Sequence, residues 1–92
     1  MRRAAKVDAS QADIVAMLRR VGASVQSLAK VGDGCPDLLV GHSGETYLME
    51  VKEPGVKRRL RPSQAEWHRE WCGAKVHVVQ DVDEALRLVK IL

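Results

Sequence analysis

Two acids and an amine stand at a spacing that suits metal-assisted chemistry: Asp37, Glu50 thirteen positions later, and then Lys52. The apolar runs Leu38-Leu39-Val40 and Tyr47-Leu48-Met49 flank Gly41-His42-Ser43-Gly44-Glu45, a turn-rich segment that predicts a β-hairpin. Centring the turn between Ser43 and Gly44 sets Gly41 opposite Thr46, Leu39 opposite Leu48 and Asp37 opposite Glu50. Directly opposed β-carbons lie about 5 Å apart, and Mg²⁺ takes oxygens at about 2.1 Å, so both carboxylates reach one ion. Without a cation, facing like charges destabilise a sheet and raise one pKa. Strand alternation puts Lys52 on the face of Glu50, about 6.6 Å along, and the Val51 carbonyl between them is a further candidate ligand. These are the parts of metal-assisted phosphodiester hydrolysis. Mg²⁺ or Mn²⁺ polarises the phosphate and acidifies a water, while the lysine orients that water or neutralises developing charge.

The surrounding chain supplies elements to position this set. Ser10 is a candidate N-cap for a first helix, with Ile14, Val15, Leu18 and Val21 at helical spacing and Gly22 as the stop. Residues 23–28 read as a weak strand. Val31-Gly32-Asp33-Gly34-Cys35 bends the chain, its glycines permitting unusual backbone angles just before Pro36. After the hairpin, Glu53-Pro54-Gly55 ends the second strand. Pro62 suits the first position of a second helix, Gln64 stands where a capping-box side chain reaches back, and Gly73 ends that helix. Residues 74–79 read as a strand, with Val76 and Val78 on one side and His77 and Val79 on the other. A last helix starts at Asp81-Val82-Asp83-Glu84 and carries Ala85, Leu86, Leu88, Val89 and Leu92 as its packing stripe. The order is αβββαβα.

Three segments in sequence, Gly34-Cys35-Pro36-Asp37-Leu38-Leu39-Val40, Tyr47-Leu48-Met49-Glu50-Val51-Lys52 and Leu60-Arg61-Pro62-Ser63-Gln64-Ala65-Glu66-Trp67, resemble the VRR-NUC family of the PD-(D/E)XK nuclease superfamily, in its short stand-alone phage and bacterial form. The resemblance covers nearly the whole chain. It implies an α/β, restriction-endonuclease-like αβββαβα core, with a four-stranded mixed sheet flanked by helices. It also implies a Mg²⁺- or Mn²⁺-dependent, structure-specific DNA endonuclease, with four-way (Holliday-type) junctions as the substrate and flaps or nicked duplexes as rivals. Resolving a junction needs two active sites, which a homodimer supplies by symmetry. On this reading Asp37, Glu50 and the Val51 carbonyl hold metal, and Lys52 and Gln64 complete the catalytic set.

The chain departs from the family's pattern at two positions. Asp13 stands where a glutamate is typical, one methylene shorter; it either reaches the metal through water or only stabilises the helix start. Arg61 replaces the threonine common at the second helix start, which weakens the cap and leaves the arginine to touch DNA. Gln64 has a purely structural reading too, closing its capping box. The bland reading of the whole set is a turn-capping Asp37, a surface Glu50 and an ordinary exposed Lys52. His68 is a candidate base by its ordinary pKa but also a common type of buried helical histidine. His42 sits at the wrong end of the hairpin, and nothing in their spacing singles out Glu53 or Glu66. Asp8 reads as a surface or capping residue.

Ninety-two residues make one domain, 1–92. A chain this short buries about 60 to 65% of its unfolded surface and is often helped by a partner. The net charge of +3 and pI near 9.1 are mild for a nucleic-acid binder, but five of the ten residues from Lys52 to Arg61 are basic. Lys57, Arg58, Arg59 and Arg61 are therefore candidate phosphate contacts. Arg2, Arg3 and Lys6 form a second basic group, either a DNA-binding arm or a solvated terminus. Cys35 and Cys72 follow no zinc spacing. No apolar run is long enough for a signal peptide or membrane span, so a cytoplasmic location with reduced thiols is expected. No small-molecule organic cofactor is expected. Trp67 and Trp71 share a helix face with Gln64 as core or dimer anchors, or as base-stacking groups. Two rival functions remain: a DNA-binding module of this fold that does not cut, and a protein-interaction domain using the Trp67/Trp71 face.

Overall fold

A computed structural model describes the backbone of residues 2–55 and 57–92 and the side chains of residues 10–55 and 57–92. The side chains of Arg2, Arg3, Lys6 and Asp8 thus lie outside the described residues. The elements are α1 (Arg2–Arg20), β1 (Ser24–Ser27), β2 (Leu38–His42), β3 (Glu45–Val51), α2 (Pro62–Glu70), β4 (Val76–Val79) and α3 (Val82–Leu88). This is the expected αβββαβα order.

The sheet runs β1-β2-β3-β4, with the first two pairings antiparallel and the last parallel. The parallel pair requires a crossover, and α2 provides it. Within the hairpin, Gly41 pairs with Thr46 and Leu39 with Leu48. Ser43 (φ 50°) and Gly44 (φ 80°) form the two-residue turn; positive φ at both central positions matches the twist of the flanking strands and fixes the register.

Alternation along the strands then divides the residues between two faces. Leu38, Val40, Met49 and Val79 meet Ile14 and Leu18 of α1, Ala85 and Leu86 of α3 and Val89 just after it in one buried apolar cluster. Leu39, Leu48 and Glu50 fall on the other face, where α2 lies. The end of α1 is a Schellman motif: Ala23 N–H donates to Leu18 O (2.9 Å) and Gly22 N–H to Arg19 O (3.1 Å), with Gly22 at φ 97°.

Several boundaries differ from the sequence expectation. The first helix starts well before Ser10, because residues 2–6 (Arg-Arg-Ala-Ala-Lys) are strong helix formers with no breaker among them. β1 is short and none of its residues is buried, and β4 omits residues 74 and 75. The second helix stops at Glu70 instead of running to Gly73; Trp71 is already extended (ψ 122°), its amide closing the last turn onto Trp67 O. α3 stops at Leu88 after its expected Asp81 cap, whose side chain accepts from Glu84 N–H at 2.8 Å. Lys90 then turns left-handed (φ 69°) and Ile91 N–H donates back to Leu86 O. Leu92 is 64% exposed and therefore not part of the packing stripe.

Candidate active site

Asp37 immediately precedes β2, and the register that pairs Leu38 with Met49 sets it opposite Glu50 when continued by one step. Its position is fixed twice. Its carbonyl accepts Leu28 N–H at 2.8 Å, and its Oδ2 accepts Val51 N–H at 2.7 Å. The carboxylate is thereby held at the end of β3 beside Glu50.

Glu50 is 2% exposed. Its Oε2 accepts from Gln64 Nε2 at 2.9 Å and lies 4.0 Å from Lys52 Nζ. Its Oε1 is buried with no hydrogen-bond partner. Burial, and next the charge and close approach of the Asp37 carboxyl, raise its pKa to about 7, against smaller lowering effects of Lys52 and Arg61. A buried carboxylate oxygen left bare beside a second acid is costly unless a proton or a cation meets it.

Gln64, 5% exposed, joins the site from α2. Its Oε1 accepts from both Lys52 Nζ and Arg61 N–H, each at 2.9 Å, while its Nε2 serves Glu50. One amide thus supplies half of a capping box and also links the acid to the amine. The approach of α2 depends on Gly34, at φ 84°. A β-carbon there would run into the Ser63 carbonyl, so only glycine lets this loop lie against the start of the helix. The two glycines were legible as a bend, but the contact of Gly34 with Ser63 was not.

Lys52 follows β3 directly, its N–H donating to Val79 O at 2.9 Å. His68 sits one helical turn after Gln64. Burial and then the Lys52 charge lower its pKa, and its buried Nε2 has no partner. Burial, Glu50 and Asp37 all raise the pKa of the Cys35 thiol.

The structure therefore brings together Asp37, Glu50, Lys52 and Gln64, with Val51 between them in the chain. It does not add Asp13, which is exposed on α1; among the described residues no cluster of three or more His, Cys, Asp or Glu side chains could hold a metal ion. Lys57, Arg58, Arg59 and Arg61 are all exposed. Arg58, however, is engaged: Nη1 donates to Val78 O at 3.0 Å and Nη2 pairs with Glu84 Oε2. That partner lies 26 positions away and no local signal pointed to it. Trp67 and Trp71 stack with centroids 4.7 Å apart at 15°, and Trp71 is 46% exposed, so it is no core residue. No helix among the described residues is long and apolar enough to cross a membrane.

A mixed four-stranded sheet flanked by three helices, with two acids and a lysine gathered at the end of its central hairpin, defines an α/β restriction-endonuclease-like fold. No family model and no curated protein matches the chain. A solved structure described as a VRR_NUC domain does, at a TM-score of 0.71 and 28% identity over 92% of this chain and 95% of that one. The chain has a VRR-NUC family fold, which is a nuclease-family fold.

Proposed function

We propose that this protein is a Mg²⁺- or Mn²⁺-dependent DNA endonuclease that hydrolyses phosphodiester bonds in branched DNA, with four-way junctions as its principal substrate. The observation that carries this reading is the buried Glu50 carboxylate, one oxygen unpartnered, beside Asp37. An all-oxygen donor set suits a hard divalent cation, so Asp37, Glu50 and the Val51 carbonyl are the residues that would hold it. A cation held there would polarise the phosphate and make a water a stronger acid.

The remaining roles belong to the chain. Gln64 fixes the Lys52 ammonium with one oxygen, leaving further N–H donors for an anionic phosphate oxygen or the attacking water. Its Nε2 donates to Glu50 Oε2, so one amide holds both acid and amine. Lys57, Arg59 and Arg61 contact the phosphate backbone, which positions DNA without reading its sequence. A homodimer acting in the cytoplasm of a bacterial or phage-infected cell provides the two sites that cutting a junction on opposite strands requires.

The test is cleavage of labelled four-way junction, flap and plain duplex with Mg²⁺, Mn²⁺ or EDTA, comparing wild type with Asp37→Asn, Glu50→Gln and Lys52→Ala. Metal-dependent cutting of branched DNA, lost in all three variants, is expected. Undiminished cutting by Glu50→Gln would refute the site, and cutting in EDTA would refute the metal requirement.

A further inference from the structure

Beside the acids, on the α2 face of the sheet, lies an apolar groove of about 380 Å³. Leu28, Leu39, Leu48 and Ala74 form its walls with Trp67 and Trp71. It adjoins the candidate active site at two points: its lining residue Cys35 is two positions before Asp37, and Trp67 is one helical turn beyond Gln64.

We infer that this groove receives unpaired nucleobases of the DNA strand being cut, stacked in series with Trp71 and Trp67; the inference rests on the DNA-cleavage reading above. Four observations support it. First, the two indoles already lie parallel, 4.7 Å apart, and Trp71 remains 46% exposed. An open aromatic surface backed by a second ring extends naturally into a column of bases. Second, the ring is set in place by Gly73, where a β-carbon would stand 2.6 Å from Trp71 Nε1 and 3.0 Å from Cε2. Third, apart from the indole N–H groups, only Cys35 and Thr46 offer polar side-chain atoms in the lining. Such walls accept any base by its flat surface and read none by its edges, as sequence-tolerant binders of single strands do. Fourth, the groove has the size of a small-ligand pocket, and Leu39 and Trp71 are its only exposed large hydrophobic lining residues among those described. A stable dimer buries about 800 Å² per partner around an apolar centre, more than two such side chains supply.

Paired bases cannot enter, because their faces are covered by neighbours in the duplex. The groove would thus favour DNA whose bases next to the cut are unpaired, as in a flap, or come unpaired at the branch point of a four-way junction on binding, giving the enzyme a structural preference without base-specific contacts.

Both tryptophans of the chain are in the groove, so intrinsic fluorescence reports on it directly. Short oligothymidylate and an abasic strand of equal length would be titrated in EDTA, with affinities measured in parallel by anisotropy of labelled strands. Saturable quenching by oligothymidylate and none by the abasic strand is expected. Trp71→Leu, at an exposed position, should weaken oligothymidylate binding by roughly 5- to 100-fold. Gly73→Ala, which displaces the ring without removing it, should weaken binding in the same direction, and circular dichroism would verify folding of both variants. Equal quenching by the abasic strand, or unchanged affinity in both folded variants, would overturn the inference. So would self-association without DNA that Trp71→Leu abolishes, which assigns the groove to a second copy. Because no cleavage is involved, the two readings fail separately. Base-dependent binding without cutting overturns the endonuclease alone; cutting without base-dependent quenching overturns only the groove's role.

Discussion

On the face of the sheet covered by α1 and α3, the buried residues form an unbroken apolar cluster in which Leu18, Leu38 and Val40 have no exposed surface. On the face covered by α2, the buried set includes Glu50 and Gln64, and the apolar residues beyond them line an open groove. The contrast follows from the length of the cover. α2 has nine residues, its first turn is committed through Gln64 to Glu50 and Lys52, and its last residue leads into a half-exposed tryptophan. One face stabilises the fold, while the other holds charges that a well-packed interior would reject. Glu50→Gln tests this division most severely. It should reduce cleavage roughly a hundredfold or more while leaving the folded state intact or more stable, since it removes a buried charge. Cleavage kinetics and a melting curve of the same preparation decide it.

The closed face should behave in the opposite sense. Leu18→Ala, at a position with no exposure, should cost about 2–5 kcal/mol. For a chain of this size that lowers Tm by about 10 °C or more. Below the new Tm, cleavage per folded molecule should be close to wild type. A specific loss of activity in folded Leu18→Ala would show that the two faces are not separable.

The pH dependence comes next in size. Glu50 titrates at about 7 in the fold against an ordinary 4.5, so the folded chain keeps a proton that the unfolded chain has lost. The resulting stability is present at pH 4.5 and below and is lost as pH rises through 7, an effect on the order of 3 kcal/mol. His68 and His77, lowered chiefly by burial, run the other way: their contribution is present above pH 6.5 and lost as pH falls through their folded pKa. The wild-type curve is therefore compared with that of Glu50→Gln. In EDTA the advantage of the variant should grow between pH 5 and 8, and Mn²⁺ should erase it at pH 8 by stabilising only the wild type. A pH-independent difference would mean that Glu50 is charged throughout.

How far this was readable from the chain depended on the range of the determining contact. The hairpin register was legible because the Ser43-Gly44 turn and the alternation around it are local, and they placed Asp37, Glu50 and Lys52 on one face. The Gln64 amide was legible as a cap, since Arg61 is three positions away. Its simultaneous hold on Glu50 and Lys52 was not, because it depends on the close approach of Gly34 to Ser63 across the fold. The start of α1 was misread at Ser10, where a good capping residue follows equally good helix formers. Trp67 and Trp71 were read on one face of a helix continuing past Trp71, but α2 ends at Glu70 and Trp71 is extended, which leaves it more open, at 46% exposed, than a continuous helix would.

The smallest effect lies in the loop joining the two faces, where neighbouring arginines meet different fates. Arg58 reaches Val78 O and Glu84, tying the loop to β4 and to the start of α3. Burial contributes little to that pair, which is largely exposed and salt-screened. Arg59 is exposed beside it. If Arg59 contacts phosphate, Arg59→Ala should reduce the slope of log affinity against log salt by about 1, independently of DNA sequence. Arg58→Ala should change that slope much less, since its charge is already balanced by Glu84. Glu84→Gln frees Arg58 and should steepen the slope, and Arg58→Ala in the Glu84→Gln background should reverse the gain. Equal slopes in Arg58→Ala and Arg59→Ala would show that Arg58 leaves Glu84 for DNA on binding, and that the loop is not anchored to the closed face in the complex.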